Sequence, residues 1–340
     1  MPYLKYAQYT GLILLTLFGL LCFMAYSPDL PTNIVDSRYR SAASQFLLTE
    51  TGVRIHFRDE GNEKGKPIVL IHGAFSSLHA FEAWSNTLGD QYRIISLDLP
   101  GHGLTGAIPG NTYSNDIHLQ AVNSVSQHLQ LDKFIIGGNS MGGGVSWRYA
   151  LKYPDRIEAV ILIASSGPMS WYNSAKEHQK TAQRPLVTQL LGKNWFRAVA
   201  ESINPYYLVK WGLASAYQQQ QSLTEPVIQR YTDMILRAGT RKAILSRTQA
   251  RQDTYSQNLD PSSLKQPVLI LWGQEDRWID LSQGRRLASM IANSKLIVYA
   301  DVGHLPMEEI PNISAKSVRN FLSELNPEKL PHLVKQQAIQ

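Results

Sequence analysis

A single cysteine, Cys22, among 340 residues excludes both an intramolecular disulfide scaffold and a thiolate zinc cluster. Charged residues are scarce at 18%, and neither glycine (23) nor proline (17) is enriched, which excludes a disordered, collagen-like or low-complexity chain. No fixed-period repeat is present, and no pair of histidines has ligand spacing on a helix, so no metal site is argued. Nucleic-acid binding has only the net charge of +6 behind it, without aromatic interleaving or a binding motif. What the chain does have is 44% hydrophobic residues, enough for a sizeable core in one large domain or two modest ones.

The first apolar feature is GLILLTLFGLLCFMA, from Gly11 to Ala25, without charge. With Tyr9 and Tyr26 it would make a helix of about 27 Å, which reaches across a thin bilayer. Tyrosines flank it, and Lys5 with the amino terminus makes its leading side positive against Asp29 on the far side. The expectation is an uncleaved signal-anchor over residues 1–27: a single-pass membrane protein with its body on the non-cytoplasmic side, periplasmic in a Gram-negative cell. A cleaved signal peptide and a buried helix are the alternatives. Cleavage after Ser27 would leave Pro28 first, a poor context.

A polar linker, residues 28–45, follows. Beyond it, eight short apolar runs recur between helical patterns: Phe46 to Leu48, Val53 to Phe57, Ile68 to Ile71, Arg93 to Leu97, Phe134 to Ile136, Ala159 to Ala164, Val268 to Trp272 and Leu296 to Tyr299. Several are apolar at successive positions instead of alternating, as in parallel strands covered on both faces. This spells an α/β fold. Between Gly167 and about Asp260 the strand rhythm stops, and helical patterns take over, one of them starting at Thr224 with Pro226 in its first turn. Residues 46–167 and 261–325 therefore make the core, 168–260 an all-helical insertion and 326–340 a tail. The insertion holds twelve Lys and Arg against six acids, an excess equal to that of the whole chain. Gln218 to Gln221 reads as a surface loop or helix end.

Gly138-Asn139-Ser140-Met141-Gly142 follows one of the runs and opens a helical pattern. G-x-S-x-G alone arises by accident in about one chain in ten of this length. Between a strand and a helix it acquires a mechanism: the sharp turn exposes the serine, and glycines avoid the backbone contacts that the turn forces. A serine hydroxyl needs a base, and the base needs a group to hold its tautomer. The usual order in this setting is nucleophile, acid, histidine. His178 lies in the insertion and His332 in the tail, which leaves His304, in the loop after Leu296 to Tyr299. For the acid, Asp276 follows Val268 to Trp272, with Asp280 and Glu275 as runners-up. The developing oxyanion would be held by the backbone N–H of Met141 and that of Ala74, with Phe75 as second choice. His72, Asp98 and His102 are read as structural.

With HGAF at 72–75, LDLPGHG at 97–103, GNSMGG at 138–143, GQED at 273–276 and DVGH at 301–304, the chain resembles the α/β-hydrolase superfamily of serine esterases and lipases. The resemblance covers about residues 46–322. It is similar to membrane-anchored monoacylglycerol lipases and bacterial lipases. It implies a mostly parallel eight-stranded sheet covered by helices, with the insertion as a cap or lid after the sixth strand. It also implies a carboxylic ester hydrolase acting through an acyl-enzyme on Ser140, Asp276 and His304, without a cofactor. The expected partners are a small-molecule or lipid ester substrate and a membrane held through the N-terminal helix. A carbon–carbon bond hydrolase or aminopeptidase of the same fold is the enzymatic alternative, and a ligand-binding pseudoenzyme the non-enzymatic one. The basic insertion is expected to lie on a membrane through Arg237, Arg241 and Lys242, with apolar residues such as Trp195, Phe196, Val199, Ile203, Tyr206 and Tyr207 lining an acyl pocket.

Overall fold

The computed structural model describes residues 25–111, 113, 115–168, 171, 193–250 and 259–325, with single positions 9, 13, 16, 19 and 20 before them. Its strands are β1 (Ser44–Leu48), β2 (Arg54–Gly61), β3 (Lys66–Ile71), β4 (Tyr92–Leu97), β5 (Phe134–Asn139), β6 (Ile157–Ile163), β7 (Val268–Gly273) and β8 (Ser294–Tyr299). They form one sheet in the order β1-β2-β4-β3-β5-β6-β7-β8. β2 pairs antiparallel with β1 and β4, and every other pairing is parallel. The sequence expectation of a mostly parallel eight-stranded sheet is met. β5 and β7 are buried at every position, which is why their sequences read as unbroken apolar runs.

The helices are α1 (Thr32–Tyr39), α2 (Glu82–Leu88), α3 (Asn115–His128), α4 (Met141–Lys152), α5 (Asn194–Ser202), α6 (Tyr206–Ala216), α7 (Glu225–Leu236), α8 (Thr240–Ala250), α9 (Leu281–Met290), α10 (Pro306–Glu309) and α11 (Pro311–Glu324). One apolar layer fills one face of the sheet around Ile136, Trp147, Tyr149 and Trp272. The other contains Phe81, Trp84 and Phe321 and continues into Leu213 of α6 and Tyr231 of α7. The helices inserted between β6 and β7 thus share a core with the sheet. Strand order reverses between β3 and β5, since β3 is followed by β4 on one side and flanked by β5 on the other. The carboxyl ends of these two strands border the crevice where open α/β sheets bind ligands.

Several expectations are corrected. Among the described residues no helix is long and apolar enough to cross a membrane. The single-pass anchor, and with it the non-cytoplasmic placement of the body, is therefore given up. Most of residues 1–27 lie outside the described residues. The end of that segment is bound to the body: Asn204 N donates to Ala25 O at 2.9 Å, Ser27 N donates to Ser202 O at 2.8 Å, and Tyr26 pairs with Ile203.

The polar segment read as a linker contains α1 and braces the inserted helices. Asp36 accepts from Arg237 Nε at 2.9 Å and Arg54 Nη1 at 3.1 Å, and Asp29 accepts from Arg241 Nη2 at 2.7 Å. Asp233, itself buried, accepts from Arg38 and from Tyr39 Oη. Burial, then the neighbouring Asp233, pushes the Tyr39 hydroxyl well above its usual pKa. Arg237 and Arg241 are 5% and 6% exposed, so they are internal ion-pair partners and cannot form a membrane-facing patch; Lys242 alone of the three is exposed. Of the supposed acyl-pocket residues, Trp195, Val199, Ile203 and Tyr207 face outward, Trp195 being 62% and Tyr207 81% exposed, and Phe196 and Tyr206 are half-buried.

Candidate active site

Ser140 sits between the last residue of β5 and the first of α4, with φ 53° and ψ −114°. No ordinary region of backbone space contains that combination, and such strain persists only where surrounding contacts enforce it. They do so here: Ser140 N donates to Ile163 O at 2.9 Å, while Ser140 O accepts from Ser166 N and Gly144 N. The flanking glycines are sterically required. A Cβ on Gly142 would lie 2.1 Å from Ile71 O, and one on Gly138 would lie 2.4 Å from the carbonyl carbon of Gly142. Met141 opens α4, where first-turn N–H groups and the positive end of the helix dipole meet the serine.

The HGAF loop after β3 closes on this turn. A Cβ on Gly73 would lie 3.3 Å from Ser140 Cβ, so the backbone leading to Ala74 runs directly beside the serine. Phe75 then takes φ 64° and leaves its side chain exposed. His72 is buried and fully engaged: its Nε2 accepts from Leu99 N at 3.0 Å, so its Nδ1 donates to Gly73 O at 2.7 Å. That arrangement matches the structural role expected of it.

His304 is buried in the loop after β8. Its Nδ1 donates to Asp276 Oδ2 at 2.8 Å, and Asp276 Oδ1 accepts from the N–H groups of Trp278 (2.8 Å) and Ile279 (2.9 Å). With Nδ1 committed, Nε2 carries the lone pair, and it is buried without a hydrogen-bond partner. Asn139 joins the two halves: its Nδ2 donates to Ile163 O at 3.2 Å and to His304 O at 3.1 Å. The Trp278 ring lies 5.3 Å from the imidazole. Of the alternative acids, Asp280 is exposed and caps α9 by accepting from Ser282 N at 2.8 Å, far from this role. Glu275 contributes its backbone N–H to Val302 O at 2.9 Å. His178 and His332 lie outside the described residues.

The structure thus pairs His304 with Asp276 and links the His304 loop, through Asn139, to the turn that carries Ser140; Ser140 Oγ makes no hydrogen bond to His304 Nε2. A family model for the alpha/beta hydrolase fold matches residues 66–311. The chain belongs to that family. A 2-hydroxy-6-oxononadienedioate/2-hydroxy-6-oxononatrienedioate hydrolase from Klebsiella pneumoniae is 27% identical over 297 residues, covering 83% of this chain and 96% of that protein. A thermophilic esterase from Thermogutta terrifontis superposes with a TM-score of 0.65 at 25% identity, covering 84% and 99% of the two chains. A meta-cleavage product hydrolase from Pseudomonas fluorescens IP01 gives a TM-score of 0.67 at 24% identity, covering 83% and 98%, a likeness of fold. Proteins similar to this α/β-hydrolase thus include a 2-hydroxy-6-oxononadienedioate hydrolase and an esterase.

Two features of the hydrolase escaped the sequence reading. Trp278 stands two residues beyond Asp276, and its N–H holds the carboxylate while its ring lies by the base, which no motif announced. The second is another Ser-His-Asp chain: Ser44 Oγ lies 2.8 Å from His56 Nε2, and His56 Nδ1 lies 2.7 Å from Asp98 Oδ2. Its chemistry differs. Ser44 lies on an extended strand and its Oγ already accepts from Ser41 N, and His56 and Asp98 are wholly buried. Asp98 also accepts from Leu78 N and Leu104 N, so it pins the LDLPGHG loop, as expected. Burial alone would raise its pKa, but the His56 hydrogen bond and the charges of His56, His72 and His79 hold it well below the usual carboxylate range. His79, beside Arg58, is lowered to about 4, chiefly by burial and then by the Arg58 charge.

Proposed function

We propose that the chain is a serine hydrolase that cleaves an acyl bond through an acyl-enzyme. Ser140 is the nucleophile, His304 the base and Asp276 its orienting acid, with Met141 and Ala74 N–H groups on the oxyanion and Phe75 as the alternative donor. The observation that carries this reading is the imidazole of His304: Nδ1 is tied to Asp276, while Nε2 is buried, unpartnered and available to a proton. Ser140 Oγ attacks the substrate carbonyl as Nε2 takes its proton. The protonated imidazole then donates that proton to the leaving group. A water, deprotonated by the same nitrogen, releases the acid.

The leaving group separates two readings. An alkoxide leaves from an ester. Carbon–carbon cleavage requires a carbanion stabilised by an adjacent carbonyl, which His304 protonates at carbon. The curated relatives favour carbon–carbon cleavage of a keto acid: the Klebsiella protein is named as a hydrolase of 2-hydroxy-6-oxononadienedioate and 2-hydroxy-6-oxononatrienedioate. The esterase superposition keeps ester hydrolysis as the second reading. A panel of 2-hydroxy-6-oxo-dienoates, followed by loss of their absorbance, and p-nitrophenyl esters of increasing chain length decides between them. Carbon–carbon cleavage is supported if kcat/KM for a dienoate exceeds that of the best ester by about 100-fold or more, a preference of roughly 3 kcal/mol. A reversed ratio selects the ester. Wild-type-like turnover of both by Ser140→Ala contradicts the shared mechanism.

A further inference from the structure

The base loop is held by a residue outside the triad. Glu309, the last residue of α10, is buried, and among the described residues its carboxylate is met by four backbone N–H groups. Oε1 accepts from Gly303 N at 2.9 Å and Leu305 N at 3.3 Å, the two residues that flank His304. Oε2 accepts from Gln218 N at 2.8 Å and Gln219 N at 2.9 Å, directly after α6. His304 N itself donates to Ala216 O at 2.8 Å. Three consecutive N–H groups around the base are therefore bound either to the inserted helices or to a carboxylate that also grips them. Close packing leaves the loop no alternative path: a Cβ on Gly303 would lie 2.2 Å from Ala216 O and 3.0 Å from Glu309 Oε1. The acid loop is stitched to the same stretch, since Trp278 Nε1 donates to Ser215 Oγ and Arg277 Nη2 donates to Gln218 Oε1.

We propose that Glu309 is a positioning residue for His304, locking the base loop and the 215–219 segment of the cap into one unit, so that a displaced cap displaces the base. The inference rests on His304 being the base. A carboxylate suits the position because it accepts at both oxygens and donates nothing, whereas an amide would turn an NH2 group toward backbone donors. A Glu that merely stabilised the loop would change the melting temperature and leave the chemistry alone.

The test compares Glu309→Gln and Glu309→Asp with the full-length wild type. The readouts are kcat and KM on a short soluble ester or dienoate, the rate of Ser140 phosphonylation by a fluorophosphonate, and the melting temperature. Both variants are expected to lose between about 10- and 100-fold in kcat and in labelling rate, with KM nearly unchanged, because small misplacement of a catalytic group is costly. A lower melting temperature with unchanged kcat and an unchanged labelling rate overturns the proposal. Gln219→Pro removes one cap N–H without touching the carboxylate and decides the matter should both Glu309 variants fail to fold. A fall of roughly threefold or more in kcat supports the proposal, and wild-type kcat overturns it. Failure of the underlying reading is separate: the wild type would then turn over substrate without labelling at Ser140.

Discussion

At residue scale, the chemistry depends on which oxygen each carboxylate offers and to whom. Asp276 has one oxygen on His304 and the other on two backbone N–H groups, whereas Asp280, four residues on, spends its side chain on the start of a helix. The two aspartates should therefore respond differently to the same substitution. Asp276→Asn presents an amide that no longer holds the imidazole in its proton-accepting tautomer, and kcat should fall by roughly three orders of magnitude. Asp280→Asn retains a capping oxygen, so both kcat and stability should stay near wild type. Steady-state kinetics on the two variants check the assignment, and a larger loss at Asp280 than at Asp276 would reverse it.

At the scale of elements, α1 deserves the most weight. Its Asp36 reaches Arg237 at the end of α7 and Arg54 on β2, so one short helix ties the cap to the sheet edge. Arg237 also fills the space beside Gly106, where a Cβ would lie 2.0 Å from its Nη1. Removing it leaves the half-buried Asp36 with Arg54 as its remaining partner and opens a gap. Arg237→Ala should cost about 2 kcal/mol in urea unfolding, with a clear coupling to Asp36→Ala in a double-mutant cycle. Additive effects of the two substitutions would show that the pair does not connect the elements.

The same helix shows what was legible beforehand. Strands β3, β5, β6 and β7 announced themselves because burial on both faces demands unbroken apolar runs such as VILIA before the cap and VLILW after it. Ser140, Asp276 and His304 stand out as candidates because a tight turn, a helix start and chain order restrict which residues can serve, and the structure pairs Asp276 with His304. α1 does not, because its ties to the cap are ion pairs between residues some two hundred positions apart, and a polar segment has the same composition whether it is free or paired. Basic residues misled for that reason: Arg237 and Arg241 look like surface charge until Asp36 and Asp29 are placed beside them. Gln218 and Gln219 read as a surface loop, yet what matters is their backbone N–H groups on Glu309, which side-chain identity does not encode.

At the scale of the whole molecule, the sheet, the cap and the loops carrying Asp276 and His304 meet at one end of the strands. The cap contributes Leu213 and Tyr231 to the core, and Tyr231 Oη donates to Glu308 Oε2 at 2.7 Å while lying 3.0 Å from Ser76 Oγ in the oxyanion loop. Burial, then the Glu308 charge, pushes that hydroxyl well above its usual pKa, so it acts as a fixed donor between cap and core. The catalytic end of the sheet is thereby enclosed by parts that are hydrogen-bonded to one another. Everything proposed for the reaction passes through one hydroxyl, and among the described residues Ser44 also stands beside a His-Asp pair. The decisive measurement is peptide mapping by mass spectrometry after reaction of the full-length protein with a fluorophosphonate. A single adduct on Ser140, formed in proportion to lost turnover and absent in Ser140→Ala, is the expected result. An adduct on Ser44, or inactivation without an adduct on Ser140, would contradict it.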